Sequence, residues 1–185
     1  MGSPEQRRVL QHALKFTPLG QTSGEGIHLI SQGVSELTEE FNPETEETHY
    51  IGDQNGTTTL KRYAMTVPLT MEYIHDDEVC KFIRSMAMQM PTGDKANVEY
   101  IRFCVLDKES NPEGQTGESY TAYKYNASIS ISNIGGAGED YLGIEAQINL
   151  RGDPITGIMT VGKGTNNTTT YTFTEKKSTS STTGT

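Results

Sequence analysis

The chain has 185 residues, enough for one well-buried core, and its apolar fraction of 33% is low for a globular protein. Its net charge of −9 argues against a protein that binds nucleic acid through the phosphates, because such binding requires clustered lysine and arginine. Two cysteines, Cys80 and Cys104, are too few for a disulfide framework and lack metal-ligand spacing. With no apolar leader and no membrane-length apolar run, the sequence predicts a soluble protein made in a reducing cytoplasm.

Residues 1–24 are predicted to form an N-terminal arm. Within the arm, Glu5–Phe16 has the apolar spacing of a short helix, which Pro18 ends. The apolar side of this helix is too small to form a core, so it would need to dock on another surface. Two short strands, Gly26–Ser31 and Val34–Phe41, are predicted to follow.

A polar, acidic stretch then runs from Asn42 to Gly56. Pro43 and the Asn55-Gly56 pair interrupt it, which predicts either a loop or a loosely paired hairpin within residues 42–60. The simpler interpretation is a solvated surface loop. The alternative is a long loop that reaches a neighbouring subunit.

The segment Tyr63–Tyr73 alternates between apolar and polar side chains, and this period of two indicates a half-buried strand. Pro68 has no amide hydrogen, so the strand should have an edge or a bulge there. A helix over residues 76–90 is predicted next, with Asp76 as its N-cap and Pro91 beyond its end. Four apolar residues recur along one side of this helix and are expected to pack on the sheet: Val79, Phe82, Ile83 and Met86.

Three further strand groups complete the predicted sheet. Val98–Asp107 precedes a polar loop, and Tyr125–Asn133 alternates again. Leu142–Arg151 is followed by Gly152-Asp153-Pro154, a turn that predicts a β-hairpin returning through Ile155–Val161.

The C-terminal region is rich in threonine and serine, with ten threonines and three serines in residues 165–185. This composition buries too little apolar surface to order itself and predicts a flexible tail over residues 164–185. Tyr171 and Phe173 leave open a strand that orders only against a partner. The predicted organisation is therefore an arm over 1–24, one β domain over 25–163, and this tail.

No constellation in the sequence predicts catalysis, a cofactor site or a metal site. The four histidines are scattered along the chain, and no nucleophile-elbow or phosphate-loop motif is present. His75 beside Asp76 and Asp77 resembles a base with orienting carboxylates, but a helix cap explains the same residues more simply. Arg151-Gly152-Asp153 matches a cell-adhesion tripeptide, for which turn chemistry is the simpler explanation. We therefore expect a protein that is not an enzyme.

Three of the predicted strands each have one apolar face and, on the other side, a face of small or acidic polar residues. The polar faces contain no lysine and a single arginine, at a strand end. An ordinary solvated face is the simpler interpretation. However, solvated faces usually mix lysine with acids, and a face without lysine suits a conduit along which DNA moves without being held. The residues expected to line such a conduit are Thr66, Thr70, Glu72, Asn126, Ser128, Ser130, Glu145, Gln147 and Asn149.

About a third of the chain, residues 34–90, carries moderately specific acidic, aromatic and turn-rich motifs. They are Asn42-Pro43-Glu44-Thr45-Glu46-Glu47-Thr48, Tyr50-Ile51-Gly52-Asp53 and Asn55-Gly56-Thr57-Thr58, then Lys61, Tyr63, His75-Asp76-Asp77-Glu78-Val79, Phe82 and Ile83. Together these motifs resemble the major tail protein family of siphophages and related prophages.

The resemblance implies a mainly β fold, a β-sandwich or barrel-like tail-tube domain with one flanking α-helix, a long inter-subunit loop and flexible terminal arms. It implies hexameric rings that stack into the phage tail tube, the conduit for DNA ejection. The loop Asn42–Gly56 would bridge adjacent rings. The residues implied in that contact are Asn42, Pro43, Glu44, Thr45, Glu46, Glu47, Thr48 and Tyr50.

The partners that the resemblance implies are further copies of this chain together with tape-measure, distal-tail and terminator proteins. DNA would pass through without specific binding, no membrane would be involved, and no cofactor is implied. The protein would reside in the virion tail after assembly in the bacterial cytoplasm. A tail-terminator or head-completion protein is the alternative within phage structure, and a β-sandwich binding module is the alternative from another class.

Overall fold

The computed structural model describes residues 5–21, 23–49, 51, 56–164 and 168–176. Two compact units divide the chain. Unit 1 comprises the described parts of Met1–Ile30, Glu99–Tyr125 and Asp153–Thr185, and unit 2 those of Ser31–Val98 and Asn126–Gly152. Within the described residues, no helix has the length and apolar character that crossing a bilayer requires.

Strands dominate both units, so the predicted mainly β fold with one α-helix is confirmed. Three long strands supply residues to both units: β7 (Asn97–Glu109), β8 (Glu118–Gly135) and β9 (Gly143–Lys163). The elements in chain order are a 3-10 helix (Arg7–Val9), β1 (Leu10–Phe16), β2 (Gly26–Leu29), β3 (Val34–Leu37), β4 (Pro43–Thr48), β5 (Thr57–Tyr63), β6 (Thr66–Glu72), α1 (Glu78–Gln89), a 3-10 helix (Gly93–Ala96), β7 (Asn97–Glu109), β8 (Glu118–Gly135), β9 (Gly143–Lys163) and β10 (Thr169–Glu175).

In unit 1 the strands follow the order β2-β1-β7-β8-β9-β10. β10 also comes close to β2, so the sheet curls around a shared core. Alternate residues of each strand face this core because strand side chains have a period of two. The core residues are Ala13, Ile101, Phe103, Tyr120, Ala122 and Met159, with Ile27, Leu29, Val105, Val161, Tyr171 and Phe173 packed against them.

The predicted helix over Glu5–Phe16 is wrong, because Leu10–Phe16 forms strand β1 between β2 and β7. Ala13 and Leu14 are both fully buried, one on each face of the sheet. The apolar residues of Leu10–Phe16 are spaced so that they fit either the period of a helix or the period of a strand. An isolated helix of this length is marginal in water. Two neighbouring strands offer backbone pairing on both sides, so Leu10–Phe16 of the predicted arm is an interior strand.

Part of the predicted flexible tail is also ordered, because Thr169–Glu175 pairs antiparallel with β9 of the same chain. Phe173 lies directly over Gly157, where a Cβ atom would be 2.4 Å from the ring. An aromatic ring covering a glycine in this way fixes the register of a strand pair. The remainder of the predicted tail, residues 165–167 and 177–185, lies outside the described residues.

Five charged residues form a chain of ion pairs at one end of the unit 1 core. Lys15 lies 3.1 Å from Glu25 and 3.0 Å from Glu99, and Lys124 lies 3.2 Å from Glu99 and 2.9 Å from Glu175. Each member lies two residues from a core residue on its own segment and therefore on the same face. The network closes this end of the core and ties four strands and the start of a fifth together.

The network makes the stability of unit 1 sensitive to acid. Burial by itself would raise the pKa of Glu99, but hydrogen bonds from Lys15 and Lys124 outweigh it and lower the pKa. A carboxylate with a lowered pKa contributes stability above its unfolded value of about 4.3, and that contribution is lost as pH falls through the folded value. We expect the free energy of unfolding in urea to decrease below about pH 4.3, and to decrease less in Glu99→Gln.

The matched control is Glu113→Gln, which removes an exposed carboxylate of the same unit. This variant should keep the acid dependence of the parent protein. Identical pH profiles for the parent and Glu99→Gln would show that the network does not stabilise the folded chain.

In unit 2 the strands follow the order β8-β9-β6-β3, and β4 and β5 form a separate two-stranded sheet. β3 ends at Leu37, opposite Leu69, and beyond it the Thr38 amide still donates to the Pro68 carbonyl oxygen over 3.3 Å, while Pro68 has no amide hydrogen to return a bond, so regular pairing with β3 stops there. One face of the sheet is apolar. Its buried residues are Val67, Leu69, Met71, Ala127, Ile129, Ile144, Ala146 and Ile148.

Helix α1 is shorter at its start than predicted, because its N-cap is Asp77 and not Asp76. The Asp77 carboxylate accepts a hydrogen bond of 2.8 Å from the amide of Cys80. The Cys80 thiol lies 3.8 Å from the carbonyl oxygen of Glu72, next to the end of β6, and burial raises its pKa to about 11. The four residues of the predicted packing stripe are all buried: Val79, Phe82, Ile83 and Met86.

The hairpin predicted at Gly152-Asp153-Pro154 is wrong, because β9 continues through it as one strand from Gly143 to Lys163. Gly152 has a φ of +69°, a conformation that glycine adopts readily, and the strand runs through it without reversing. β9 pairs with β6 through Asn149 and with β10 from Gly157 onward. Pro154 lies between these two paired stretches, where its missing amide hydrogen breaks neither ladder.

Candidate functional site

The nine polar residues predicted to line a conduit come from β6, β8 and β9, which are neighbours in unit 2. Thr66 is opposite Asn149 and Thr70 is opposite Glu145, and opposite residues of an antiparallel pair share a face. Ser130 of β8 joins them, since it accepts a hydrogen bond of 3.2 Å from Asn149. The fold therefore places polar residues of all three strands on one face, with the apolar residues between them buried.

Hydrogen bonds between neighbours hold several side chains of this face in place. The Gln147 amide donates to Asn149 over 2.9 Å, and the Ser130 hydroxyl donates to the Gln147 carbonyl oxygen over 3.4 Å. At the other margin, Asn42 donates to the Thr66 hydroxyl, which donates to Glu40. These side chains orient one another through their hydrogen bonds. The groups that the face presents are neutral dipoles and carboxylates.

The β4–β5 hairpin is the second candidate surface, and every residue in its two strands is exposed. Ion pairs cross it: Arg62 with Glu44 at 2.7 Å and Lys61 with Glu46 at 3.0 Å. The hydrogen bond from Arg62 lowers the pKa of Glu44. Exposed pairs stabilise little, and a two-stranded hairpin is marginal by itself in water. The hairpin therefore gains little stability from its own ion pairs.

A bulge gives the hairpin an apolar side. Leu60 and Tyr63 are three residues apart and would face opposite ways in a regular strand. The register shifts opposite Glu44 and Thr45, with Lys61 as the extra residue, so Leu60 and Tyr63 lie on the same face. Phe41 packs edge-on against Tyr63 with ring centres 6.2 Å apart. The side chains of Phe41, Leu60 and Tyr63 are 46%, 46% and 56% exposed, a patch typical of a protein–protein contact.

The residues predicted for an inter-ring contact lie in this hairpin, since Pro43–Thr48 is strand β4 and Asn42 is at its base. Tyr50 lies outside the described residues. The apolar residues of β5 were not predicted as part of the surface. The Asn55-Gly56 pair was the available signal, because an Asn-Gly pair in a sequence favours a hairpin and so predicts that the segments around it pair.

No protein-family profile matches this sequence, and no curated protein matches it significantly. Among solved structures, the tail tube of siphophage SPP1 is similar, with a TM-score of 0.53 and 11% sequence identity over 82% of this chain and 78% of that chain. The baseplate of the anti-feeding prophage gives a TM-score of 0.46 and 8% identity, over 85% of this chain and 97% of that chain. The first likeness shows a shared fold, the one that the sequence resemblance implied.

Proposed function

We propose that this chain is a structural subunit of a phage tail tube that self-assembles into stacked hexameric rings enclosing a conduit for DNA. The observation that carries the proposal is the lysine-free polar face of unit 2, to which three neighbouring strands contribute. The fold shared with the SPP1 tail tube supports the same role.

A conduit for DNA must be wetted without holding phosphates. Each lysine or arginine that meets a phosphate adds to a salt-dependent affinity, because it releases condensed counterions. The proposed lumen face instead carries hydroxyls, amides and the carboxylates of Glu72 and Glu145. Water can hydrate this face, while its carboxylates repel DNA and keep it mobile.

The other two elements of the proposal are ring closure and stacking. β3 is the last strand of its sheet, and an open edge invites pairing with another chain. A closed ring would cover such edges. Stacking would use the β4–β5 hairpin, whose exposed apolar side is suited to packing against a subunit of the next ring.

Lysines on the proposed lumen face should block DNA passage while leaving assembly intact. The variant Thr66→Lys with Ser130→Lys and Gln147→Lys should still form tubes in negative-stain micrographs, because the apolar face is untouched. Phage carrying it should lose infectivity by at least about tenfold, because each ring would then present many phosphate contacts. Three lysines at exposed threonines of unit 1, Thr116, Thr169 and Thr172, are the matched control.

Equal infectivity of the two lysine variants would show that the wrong face has been assigned to the lumen. Assembly itself is tested with the parent protein at rising concentration. Tubes support the proposal, rings that never stack favour a tail-terminator or head-completion role, and a monomer at high concentration favours a binding module.

A further inference from the structure

An open cleft of about 400 Å³ lies in unit 2 at the end of the polar face. Arg151 follows Asn149 by two residues on β9 and, among the described residues, is the one cation on this face, so the cleft interrupts an otherwise neutral and acidic surface. Val98 is buried, and the other lining residues are exposed: Asn97, Asn126, Arg151 and Gly152.

Neutral acceptors hold the guanidinium of Arg151 in place. Its Nη2 donates to the side-chain oxygen of Asn97 and, over 3.3 Å, to the carbonyl oxygen of Ala127. Asn97 is itself fixed, because its amide donates to Asp94 over 3.1 Å. No carboxylate pairs with Arg151 within the described residues, and its other N–H donors have no acceptor among them. A guanidinium has five N–H donors, so this one is positioned but only partly used.

We propose that this cleft binds a carboxylate side chain of a neighbouring copy of this chain, with Arg151 as the anchor. The inference rests on the proposed self-assembly. A guanidinium presents two parallel N–H groups that match the two oxygens of a carboxylate. The Asn126 amide is available as a further donor beside it. An added Cβ on Gly152 would have nothing within 4 Å, so the approach from that side is open.

The charge distribution favours a carboxylate over the phosphates of DNA. Nucleic acid affinity grows with the number of cations that meet phosphates, and here one arginine shares its face with Glu72 and Glu145. The chain carries 24 acidic residues against 15 basic ones. An assembly of copies therefore has an excess of carboxylates and few cations to receive them.

The binding chemistry is tested on the full chain by NMR, following the Arg151 side-chain Nε–H signal and the backbone amides of Asn126 and Gly152. The probes are a short oligoglutamate peptide and an oligothymidylate of the same length. Oligoglutamate should shift these signals, and its affinity should fall by about tenfold or more in Arg151→Gln, because a charge-assisted bidentate pair is lost. The control Lys163→Gln removes an exposed cation of unit 1 and should leave the affinity unchanged.

No shift with oligoglutamate, a shift that persists in Arg151→Gln, or a larger shift with oligothymidylate would overturn the inference. The neighbouring copy is tested separately by sedimentation velocity at rising concentration. Arg151→Gln should raise the concentration at which the protein assembles, whereas Lys163→Gln should not. Unaltered assembly of Arg151→Gln would exclude a second copy as the source of the carboxylate. If the parent protein forms no assembly at all, the proposed function fails while the NMR result still decides whether the cleft receives carboxylates.

Discussion

Protein from which the β4–β5 hairpin has been removed is expected to form rings that do not stack into tubes. Asn42 and Ala64 join across the base of the hairpin, where the Ala64 amide donates to the Asn42 carbonyl oxygen over 3.1 Å. Residues 43–63 can therefore be replaced by Gly-Gly without moving either end. No residue of β4 or β5 is buried, so the free energy of unfolding should change by less than about 1 kcal/mol.

Negative-stain microscopy checks the result for the deletion and for a point variant of the same surface. Leu60→Glu places a charge in the exposed apolar patch and should prevent stacking as the deletion does. Thr59→Glu is the matched control, because Thr59 pairs with Glu46 on the opposite face of the hairpin. Tubes of normal length from the deleted protein would show that stacking uses another surface.

Phe173→Ala is expected to destabilise unit 1 by about 2 kcal/mol, below the range for a fully buried phenylalanine because this ring is half-buried. The ring fills the space over Gly157, packs against the core, and lies 5.2 Å from the Lys124 ammonium. Its loss would leave a cavity at the strand that completes the curl of the sheet.

Urea denaturation of Phe173→Ala and Thr172→Ala provides the comparison. Thr172 is adjacent on β10 and exposed, so its truncation should change the free energy of unfolding by no more than about 0.5 kcal/mol. A similar small effect of both substitutions would mean that β10 rests on the sheet without closing its core. A drop in the denaturant slope m of Phe173→Ala alone would instead indicate that β10 detaches before the rest unfolds.

The parts of the fold that the sequence predicted correctly carry their signal in local periodicity. Tyr63–Tyr73, Tyr125–Asn133 and Leu142–Arg151 each alternate polar and apolar residues over many positions. A long alternating run has one way to bury its apolar residues, so the faces of β6, β8 and β9 follow from the chain itself. The apolar stripe on α1 could be predicted for the same reason. The prediction erred only at the N-cap, which is Asp77 and not Asp76.

The errors lie where several local conformations have similar energy. The apolar residues of Leu10–Phe16 fit either a helix or a strand. This segment forms strand β1 because β2 and β7 pair with its backbone on both sides. Gly152-Asp153-Pro154 is compatible with a reversal or with a continuous strand. The pairing of β9 with β6 before this segment and with β10 after it decides for the continuous strand.

The sequence by itself determined that this is a mainly β protein with a lysine-free polar face, because side-chain alternation and the choice of charged residues are properties of the chain. Tertiary structure alone decided that a threonine-rich C-terminal segment becomes β10 and that the acidic stretch becomes one strand of an exposed hairpin. It also decided that Arg151 is held by neutral acceptors in a cleft. The physical reason is that backbone pairing and side-chain partners come from residues distant in sequence, which local composition does not specify.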